Sequence, residues 1–527
     1  MSQTTPQRQN WGTRLGVILA VTGSAVGLGN FLRFPGLAAK YEGGAFMIPY
    51  FIAFFLLGLP LAWCEWAMGR LGGWRGFNSA PGIYRSIWRS AAAPYFGVLA
   101  MLIPVVIYMY YVLIEAWCLG YAWNMATGKL ALGSVDASQY GRFFTRFVGA
   151  HENGLTSGIA GLFVIVCFVL NFALIYRGLV AGIEWFNRWA MPTLIFCGLI
   201  VLVRVLTLHT PDPSRPELNL SAGLGFMWNP HTQQVGLWHA LGNGQMWLEA
   251  AGQIFFSLSV GFGIIVNYAS YVREDDDIAL SALTSCAGNE FCEVALGGMI
   301  TIPAAFMFLG PAGAGGSTFS LGFVTLPMVF ESMPLGQLVG TVFFFLLFLA
   351  ALTSSVSMLQ PAIALLEEGL GLNRRASVSL LGFVTLIGAG FVLYFSKDLV
   401  ALDTLDFWAG TFFIYILATF QVILFGWVLG IERGYAEIQR GAEVRVPRFW
   451  MYVIKYVSPI FLLLVFGAFV YQQLTTRKDN RLLAIAQDPV VRLSVFFLLA
   501  VAVLFMLLVA QSVRRWQRLE VVAEVQS

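Results

Sequence analysis

The residues able to do chemistry collect in a few stretches of otherwise apolar sequence. Gly23-Ser-Ala-Val-Gly-Leu-Gly-Asn-Phe-Leu-Arg-Phe-Pro35 places three glycines, an asparagine, an arginine and a proline within thirteen residues. Glycine and proline loosen a helix, and a peptide group freed in hydrocarbon is costly unless something binds it. Two readings are open: a close glycine-mediated helix crossing, or an unwound helix whose carbonyls and amides hold a ligand. Arg33 favours the second, because an intramembrane cation marks a functional site by default. Phe255-Phe-Ser-Leu-Ser-Val-Gly-Phe-Gly263 is a second such interruption. Leu352-Thr-Ser-Ser-Val-Ser357 groups hydroxyls in an apolar run; they either bond back to carbonyls one turn earlier or offer oxygens to a ligand. With Asn30, Ser257 and Asn289 they form a set of neutral oxygens, which suits a monovalent cation better than calcium or magnesium. The carboxylates Glu65, Glu115, Glu290 and Glu293 also fall at membrane depth. Each is either a proton relay or a structural partner of a helix end or an arginine. The structural reading is preferred for Glu65 and Glu115. Glu293 follows Asn289 by one helical turn, so both can face one cavity.

These residues need helices in a membrane to position them. Of 527 residues, 58% are hydrophobic, 15% aromatic and only 11% charged, and mean hydropathy is +0.75. A soluble chain carries about 25% charged residues, so the composition describes an all-α polytopic membrane protein. A span needs about 20 mostly apolar residues, and by that rule about twelve are expected: 14–37, 44–68, 93–125, 156–175, 190–208, 241–270, 276–308, 338–368, 377–396, 401–427, 449–474 and 489–513. The interruptions fall in the first and sixth, matching positions of two five-span halves, which points to an inverted repeat with its site between the halves. The chain then divides into 1–13, a first repeat at 14–208, a second, inverted repeat at 241–427, and two additional helices at 449–513. The expected loops after spans 2, 4, 8 and 10 carry Arg70, Arg75, Arg85, Arg89, Arg177, Arg188, Arg374, Arg375, Arg433, Arg440, Arg445 and Arg448, and the opposite loops are poorer in basic residues. The positive-inside rule puts both termini in the cytoplasm of a multi-pass protein of the cell membrane.

Other chemistries find no support. The polar start, Met1 to Trp11, is followed by no small-residue cleavage site, so no cleaved signal peptide is expected. The six cysteines lack metal-ligand spacing and read as buried small hydrophobes without a disulfide. The four histidines lie in or beside loops, which excludes a bis-histidine haem. There is no P-loop, no HExxH and no nucleophile elbow, so neither an ATP-driven pump nor an enzyme is expected. A net charge of +3 implies no nucleic-acid partner. An ion gradient is the remaining energy source.

The motifs, taken in order, resemble the neurotransmitter:sodium symporter family over nearly the whole chain. Besides Gly23–Pro35 they are Glu65-Trp-Ala-Met-Gly-Arg70, Ile103-Pro104 with Tyr110-Tyr111, Gly252-Gln-Ile-Phe-Phe-Ser257, Tyr268-Ala-Ser-Tyr271, Leu352-Thr-Ser-Ser355 and Asp406-Phe-Trp-Ala-Gly-Thr411. The resemblance is strongest to the bacterial amino-acid carriers of the LeuT type. It implies the LeuT fold, with a 5+5 inverted repeat and broken helices 1 and 6, and two sodium sites. The first would use the Ala25 carbonyl, Asn30, Ser257 and Asn289, with the substrate carboxylate completing it. The second would use carbonyls of Gly23, Val26 and Ala350 and hydroxyls of Thr353 and Ser354. The substrate carboxylate would meet the amides of Leu28 and Gly29 and the Tyr111 hydroxyl, and its ammonium the carbonyls of Ala25 and Phe256 and the Ser259 hydroxyl. Ile107, Tyr111, Phe256, Phe262 and Met358 would wall its side chain, next to Ser257 and Ser354.

The resemblance further implies an outer gate of Arg33 and Asp406 over Tyr111 and Phe256, and an inner gate of Arg8, Trp11, Tyr271 and Glu368 attached to the 1–13 segment. Family members that carry amines without a carboxylate have aspartate where this chain has Gly27, so an amino acid is the expected substrate. Glu293 stands where chloride-dependent relatives have serine, so its charge would replace the anion and no chloride requirement is expected. The mostly apolar wall points to a neutral, hydrophobic amino acid. The expected activity is sodium-coupled symport by alternating access, with sodium, the amino acid and membrane lipid as partners and a monomer or homodimer as the assembly. The competing reading is a non-transporting amino-acid sensor or binding protein of the same fold, which would bind substrate without accumulating it.

Overall fold

The computed structural model describes residues 10–133, 136–150, 158–230, 236–314, 318–475 and 480–526, and every regular element among them is helical. Nine of these helices are long and apolar enough to cross a membrane. A tenth span is the pair Arg14–Ala25 and Gly29–Lys40, bent by 48° at its break. The expected fourth span is the 19-residue helix Gly158–Tyr176. The expected sixth is divided into Gly244–Leu258 and Ile264–Ala269. The fifth begins at Leu179, well before the expected residue 190.

Burial separates a core from a periphery. The helices Ala93–Ala126 and Gly336–Leu370 are enclosed almost entirely, whereas Arg374–Tyr394, Phe449–Thr475 and Pro489–Glu520 expose most of their apolar surface, as lipid-facing helices do. The two broken helices lie against the enclosed pair, which therefore forms a scaffold around them. All six cysteines are buried free thiols.

Six arginines expected in loops, Arg70, Arg85, Arg188, Arg374, Arg375 and Arg433, belong to helices. Arg188 lies in Trp185–Leu206 and pairs with Glu184 one turn earlier at 3.0 Å. Arg70 is fully buried in Leu59–Trp74. Its Nε donates to Glu437 at 2.8 Å, and its other nitrogens donate to the carbonyls of Asp276, Arg440 and Glu437. Four acceptors around one guanidinium supply the satisfaction that a buried charge needs. They also tie the second span to the loop before Ile278 and to the helix Ile431–Gln439.

At the same end, the last helix, Pro489–Gln526, runs on past the bundle and returns contacts to it. The buried Trp516 packs edge-on against Phe77 at 5.4 Å, Arg85 lies over the Trp516 ring and pairs with Glu520 at 2.8 Å, and Arg515 donates to the Glu368 carbonyl at 3.1 Å. The short helix Ala80–Ile87 is thereby held from below.

Arg70→Met should cost about 3–5 kcal/mol, because it leaves the buried Glu437 carboxylate with only the more distant Arg440, at 3.9 Å. The measurement is the melting temperature of the purified protein in detergent. Replacing both partners, Arg70→Met with Glu437→Met, should recover part of the loss.

Candidate functional site

The first break is built by a few dihedrals and closed by side chains. Val26 leaves the helix in an extended conformation after its amide has bonded the Thr22 carbonyl at 2.7 Å. The next two amides have no helical acceptor. Gly27 N–H donates to Asn30 Oδ1 at 2.8 Å and Leu28 N–H to the Tyr111 hydroxyl at 3.1 Å. The second break turns on Ser259, Gly261 and Gly263, all at positive φ. Gly263 allows a close approach as well: a Cβ there would lie 2.5 Å from the Ala100 carbonyl oxygen. The freed Gly261 amide donates to Glu65 at 3.3 Å, and Gln421 Nε2 donates to the same oxygen at 2.7 Å. The structural reading of Glu65 therefore holds, with a backbone amide and a glutamine as partners.

A carboxylate and three amides sit beside the first break. Asn30 Nδ2 donates to Asn289 Oδ1 at 2.8 Å and to Glu293 at 3.3 Å. Asn289 Nδ2 and Gln253 Nε2 donate to Glu293 at 3.2 and 2.7 Å. All four side chains are fully buried. Asn289 and Glu293 thus share a face as their spacing implies. Gln253 was not singled out by its chemistry, and the signal was available: a glutamine in a span between Gly252 and Ile254 needs a partner. The Ser257 hydroxyl is buried without a hydrogen-bond partner. Glu290 turns aside and accepts from Tyr50 at 2.9 Å.

The hydroxyl run meets the first broken helix from the other side. Ser354 Oγ lies 3.1 Å from the Ser24 carbonyl, 3.3 Å from that of Val26 and 3.4 Å from that of Gly23. Thr353 Oγ1 lies 3.0 Å from the carbonyls of Leu349 and Ala350, the back-bonding that its position in a helix allows. Ser354 thus meets the carbonyls of Gly23 and Val26, while Thr353 and Ala350 bond each other within the same helix as Ser354, and all of these oxygens are neutral. Ser355 points away and bonds Glu115 at 2.8 Å, and Asn171 donates to the same carboxylate at 3.0 Å. This is the structural role read for Glu115, with no arginine involved.

Between these clusters lie the expected wall residues. Ile107, Tyr111, Phe262 and Met358 are buried, and the rings of Phe256 and Phe262 meet at 6.0 Å. The Ser259 hydroxyl donates to the Ser24 carbonyl at 3.0 Å, the residue before Ala25. A Cβ on Gly27 would lie 2.8 Å from the Tyr111 hydroxyl and 2.9 Å from Ser354 Oγ, and one on Gly29 would lie 2.9 Å from the Phe256 ring. A side chain at either glycine would crowd the break, where Asn30 and Tyr111 accept from the Gly27 and Leu28 amides.

The two ends of this site differ. Towards the N-terminus, Trp11 donates through its ring N–H to the Tyr268 carbonyl at 2.8 Å and through its amide to the Tyr271 carbonyl at 3.2 Å. Its ring meets Tyr268 edge-on at 5.1 Å, and this end is packed shut. Arg8 lies outside the described residues. Glu368 accepts from the amides of Asn78 and Ser79, at 2.6 and 2.9 Å, and so caps the start of Ala80–Ile87. At the opposite end a cavity of about 430 Å³ is lined by Arg33, Lys40, Glu249, Asp403, Asp406 and Arg481. Arg33 and Asp406 face this cavity, but no ion pair within 4.0 Å joins them among the described residues. Arg33 stacks over the Phe256 ring at 4.8 Å and Asp406 accepts from Tyr110 at 2.6 Å. A cavity thus reaches Arg33 and Asp406 at one end, while Trp11 is packed against Tyr268 and Tyr271 at the other.

Comparison with known proteins agrees with this geometry. The model of the sodium:neurotransmitter symporter family matches residues 8–141 and 133–516. An uncharacterized sodium-dependent transporter of Methanocaldococcus jannaschii is 28% identical over 86% of this chain and 89% of its own length. A sodium-dependent nutrient amino acid transporter of Drosophila persimilis is 26% identical over 90% and 76%. The crystal structure of MhsT in complex with L-phenylalanine superposes with a TM-score of 0.74 at 28% identity, over 87% of this chain and 99% of that one, and carries the LeuT fold. The chain belongs to the sodium:neurotransmitter symporter family, as a membrane transporter and not an enzyme.

Proposed function

We propose that the protein is a symporter that carries a neutral, hydrophobic L-amino acid with two sodium ions by alternating access and needs no chloride. The observation that carries this reading is the buried Glu293 carboxylate, held by Asn30, Asn289 and Gln253. It is a carboxylate next to the oxygens of Asn30, Ser257 and Asn289, where the first sodium would sit with the Ala25 carbonyl and would favour its ionised form. Such a charge offsets the cation without a bound anion. The second sodium would sit among Gly23, Val26, Ala350, Thr353 and Ser354.

The substrate class follows from what the site lacks. With Gly27 in place of a side-chain carboxylate, the solute brings its own, which the amides of Leu28 and Gly29 and the Tyr111 hydroxyl would receive. Its ammonium would face the carbonyls of Ala25 and Phe256 and Ser259. The wall of Ile107, Phe256, Phe262 and Met358 is apolar apart from the Tyr111 hydroxyl, which fits an uncharged hydrophobic side chain. The L-phenylalanine named for MhsT is of this class.

The difference between the two ends supports alternating access. Substrate and sodium would enter from the cavity below Arg33 and Asp406 while Trp11 seals the far side. Closing the outer end would bring Arg33 off Phe256 towards Asp406, and release would need Trp11 to leave Tyr268 and Tyr271. In this reading the Trp11 end faces the cytoplasm of a cell-membrane protein, and the two five-helix halves, 14–208 and 241–427, move against each other.

In proteoliposomes a sodium gradient should drive accumulation of leucine, methionine, alanine or an aromatic amino acid, and replacing sodium with potassium should abolish it. Saturable binding without accumulation would overturn symport. Asn30→Ala and Thr353→Ala should each weaken sodium-dependent binding at least about tenfold; unchanged sodium affinity in both would remove the site assignment. Glu293→Ser should convert chloride-independent uptake into uptake that rises with chloride, and a flat chloride response in that variant counts against the charge argument.

A further inference from the structure

The helix Trp185–Leu206 brings one polar side chain against the first broken helix that none of the roles above uses. Asn187 is fully buried. Its Nδ2 donates to the Ile183 carbonyl one turn earlier at 2.9 Å, which fixes the rotation of the amide. The opposite atom, Oδ1, has no hydrogen-bond partner. That oxygen is pressed against Gly23: a Cβ built there would lie 2.0 Å from Oδ1 and 3.1 Å from Cγ of Asn187. The same Cβ would lie 3.3 Å from the Met191 sulfur, which donates no hydrogen bond.

A back-bonded asparagine in a helix explains Nδ2 but not Oδ1. A buried amide oxygen without a donor is destabilising, and a native structure retains one where a water or an ion supplies the missing partner. Gly23 is also one of the carbonyl donors read above for the second sodium ion. We propose that Asn187 is a further ligand of that ion, acting from the Trp185–Leu206 helix through one water molecule. The water follows from the geometry, because Oδ1 abuts the Cα face of Gly23 and not its carbonyl. The bridging water would give one hydrogen to Asn187 Oδ1 and a lone pair to the ion. The inference rests on the reading of Gly23, Val26, Ala350, Thr353 and Ser354 as a sodium site. It adds a helix to that site, which otherwise draws only on the first broken helix and on Gly336–Met358.

The test uses sodium alone as the probe, with no amino acid present, because the first site then lacks the substrate carboxylate. Thermal unfolding of the purified protein is followed as sodium replaces potassium at constant ionic strength, for the native chain, Asn187→Ala, Asn187→Asp and Thr353→Ala. Asn187→Ala should move the midpoint of the sodium-dependent stabilisation up about tenfold, and Asn187→Asp should move it down, since the added charge faces a cation. A merely structural asparagine would lower melting in potassium and sodium alike and leave the midpoint in place. If Thr353→Ala shifts the midpoint while both Asn187 variants keep it, the inference falls and the site stands. If Thr353→Ala leaves the midpoint unmoved, the site reading fails and takes the inference with it. Should Asn187→Ala yield no folded protein, Asn187→Asp decides alone: a lower midpoint supports the role, and an unchanged or higher one overturns it.

Discussion

Every feature of the site depends on one constraint, the satisfaction of peptide groups that two helices release inside the membrane. Hydrocarbon offers no hydrogen bonds, so an amide left free at Val26–Leu28 or at Ser259–Gly263 must find its partner within the protein. The partners come from helices far away in sequence. Tyr111 takes the Leu28 amide and Glu65 takes the Gly261 amide. The breaks are thus held open by groups on the second and third spans, and a solute can exchange with them only by offering equal or better partners. The enclosed helices Ala93–Ala126 and Gly336–Leu370 face the first break with side chains from both.

The same constraint governs charge. Among buried acids of the spans, Glu65, Glu115 and Glu293 each accept from uncharged amides or hydroxyls and not from an arginine. A carboxylate matched by a fixed cation would have little field left for a ligand. One held by amides keeps its negative potential while its lone pairs are occupied. Of these three, Glu293 is the one bonded to Asn30 in the first break. Arg70 is the contrasting case, a buried cation whose carboxylate and carbonyl acceptors consume its charge in joining helices.

Much of this was legible before any coordinates. Glycines packed around Asn30 and Arg33 betrayed the first break, and Ser259, Gly261 and Gly263 the second, because the penalty for opening a helix in lipid leaves a compositional trace. The one-turn spacing of Asn289 and Glu293 fixed their shared face. What escaped was set by packing at a distance. Arg70 and Arg188 were read as loop residues because hydropathy windows end where charges begin, although a satisfied charge can continue a helix. The amides of Asn78 and Ser79 that Glu368 caps cannot be paired with it from spacing across so many residues. Asn187 and Gln253 were passed over since an isolated amide in a span carries no pattern of its own. Arg33 and Asp406 form no ion pair within 4.0 Å among the described residues, because Arg33 stacks on Phe256 and Asp406 takes the Tyr110 hydroxyl, contacts that the motif alone does not reveal.

The long final helix has a consequence for biosynthesis. Trp516 and Glu520 clamp Phe77 and Arg85, with the Arg85–Glu520 pair spanning 435 positions of the chain. A ribosome releases these partners at opposite ends of translation. The short helix Ala80–Ile87 therefore emerges and docks long before its brace exists, and it stays unbraced throughout membrane insertion. Chains cut short by premature termination near the end would insert nearly every helix and still reach quality control with this corner loose.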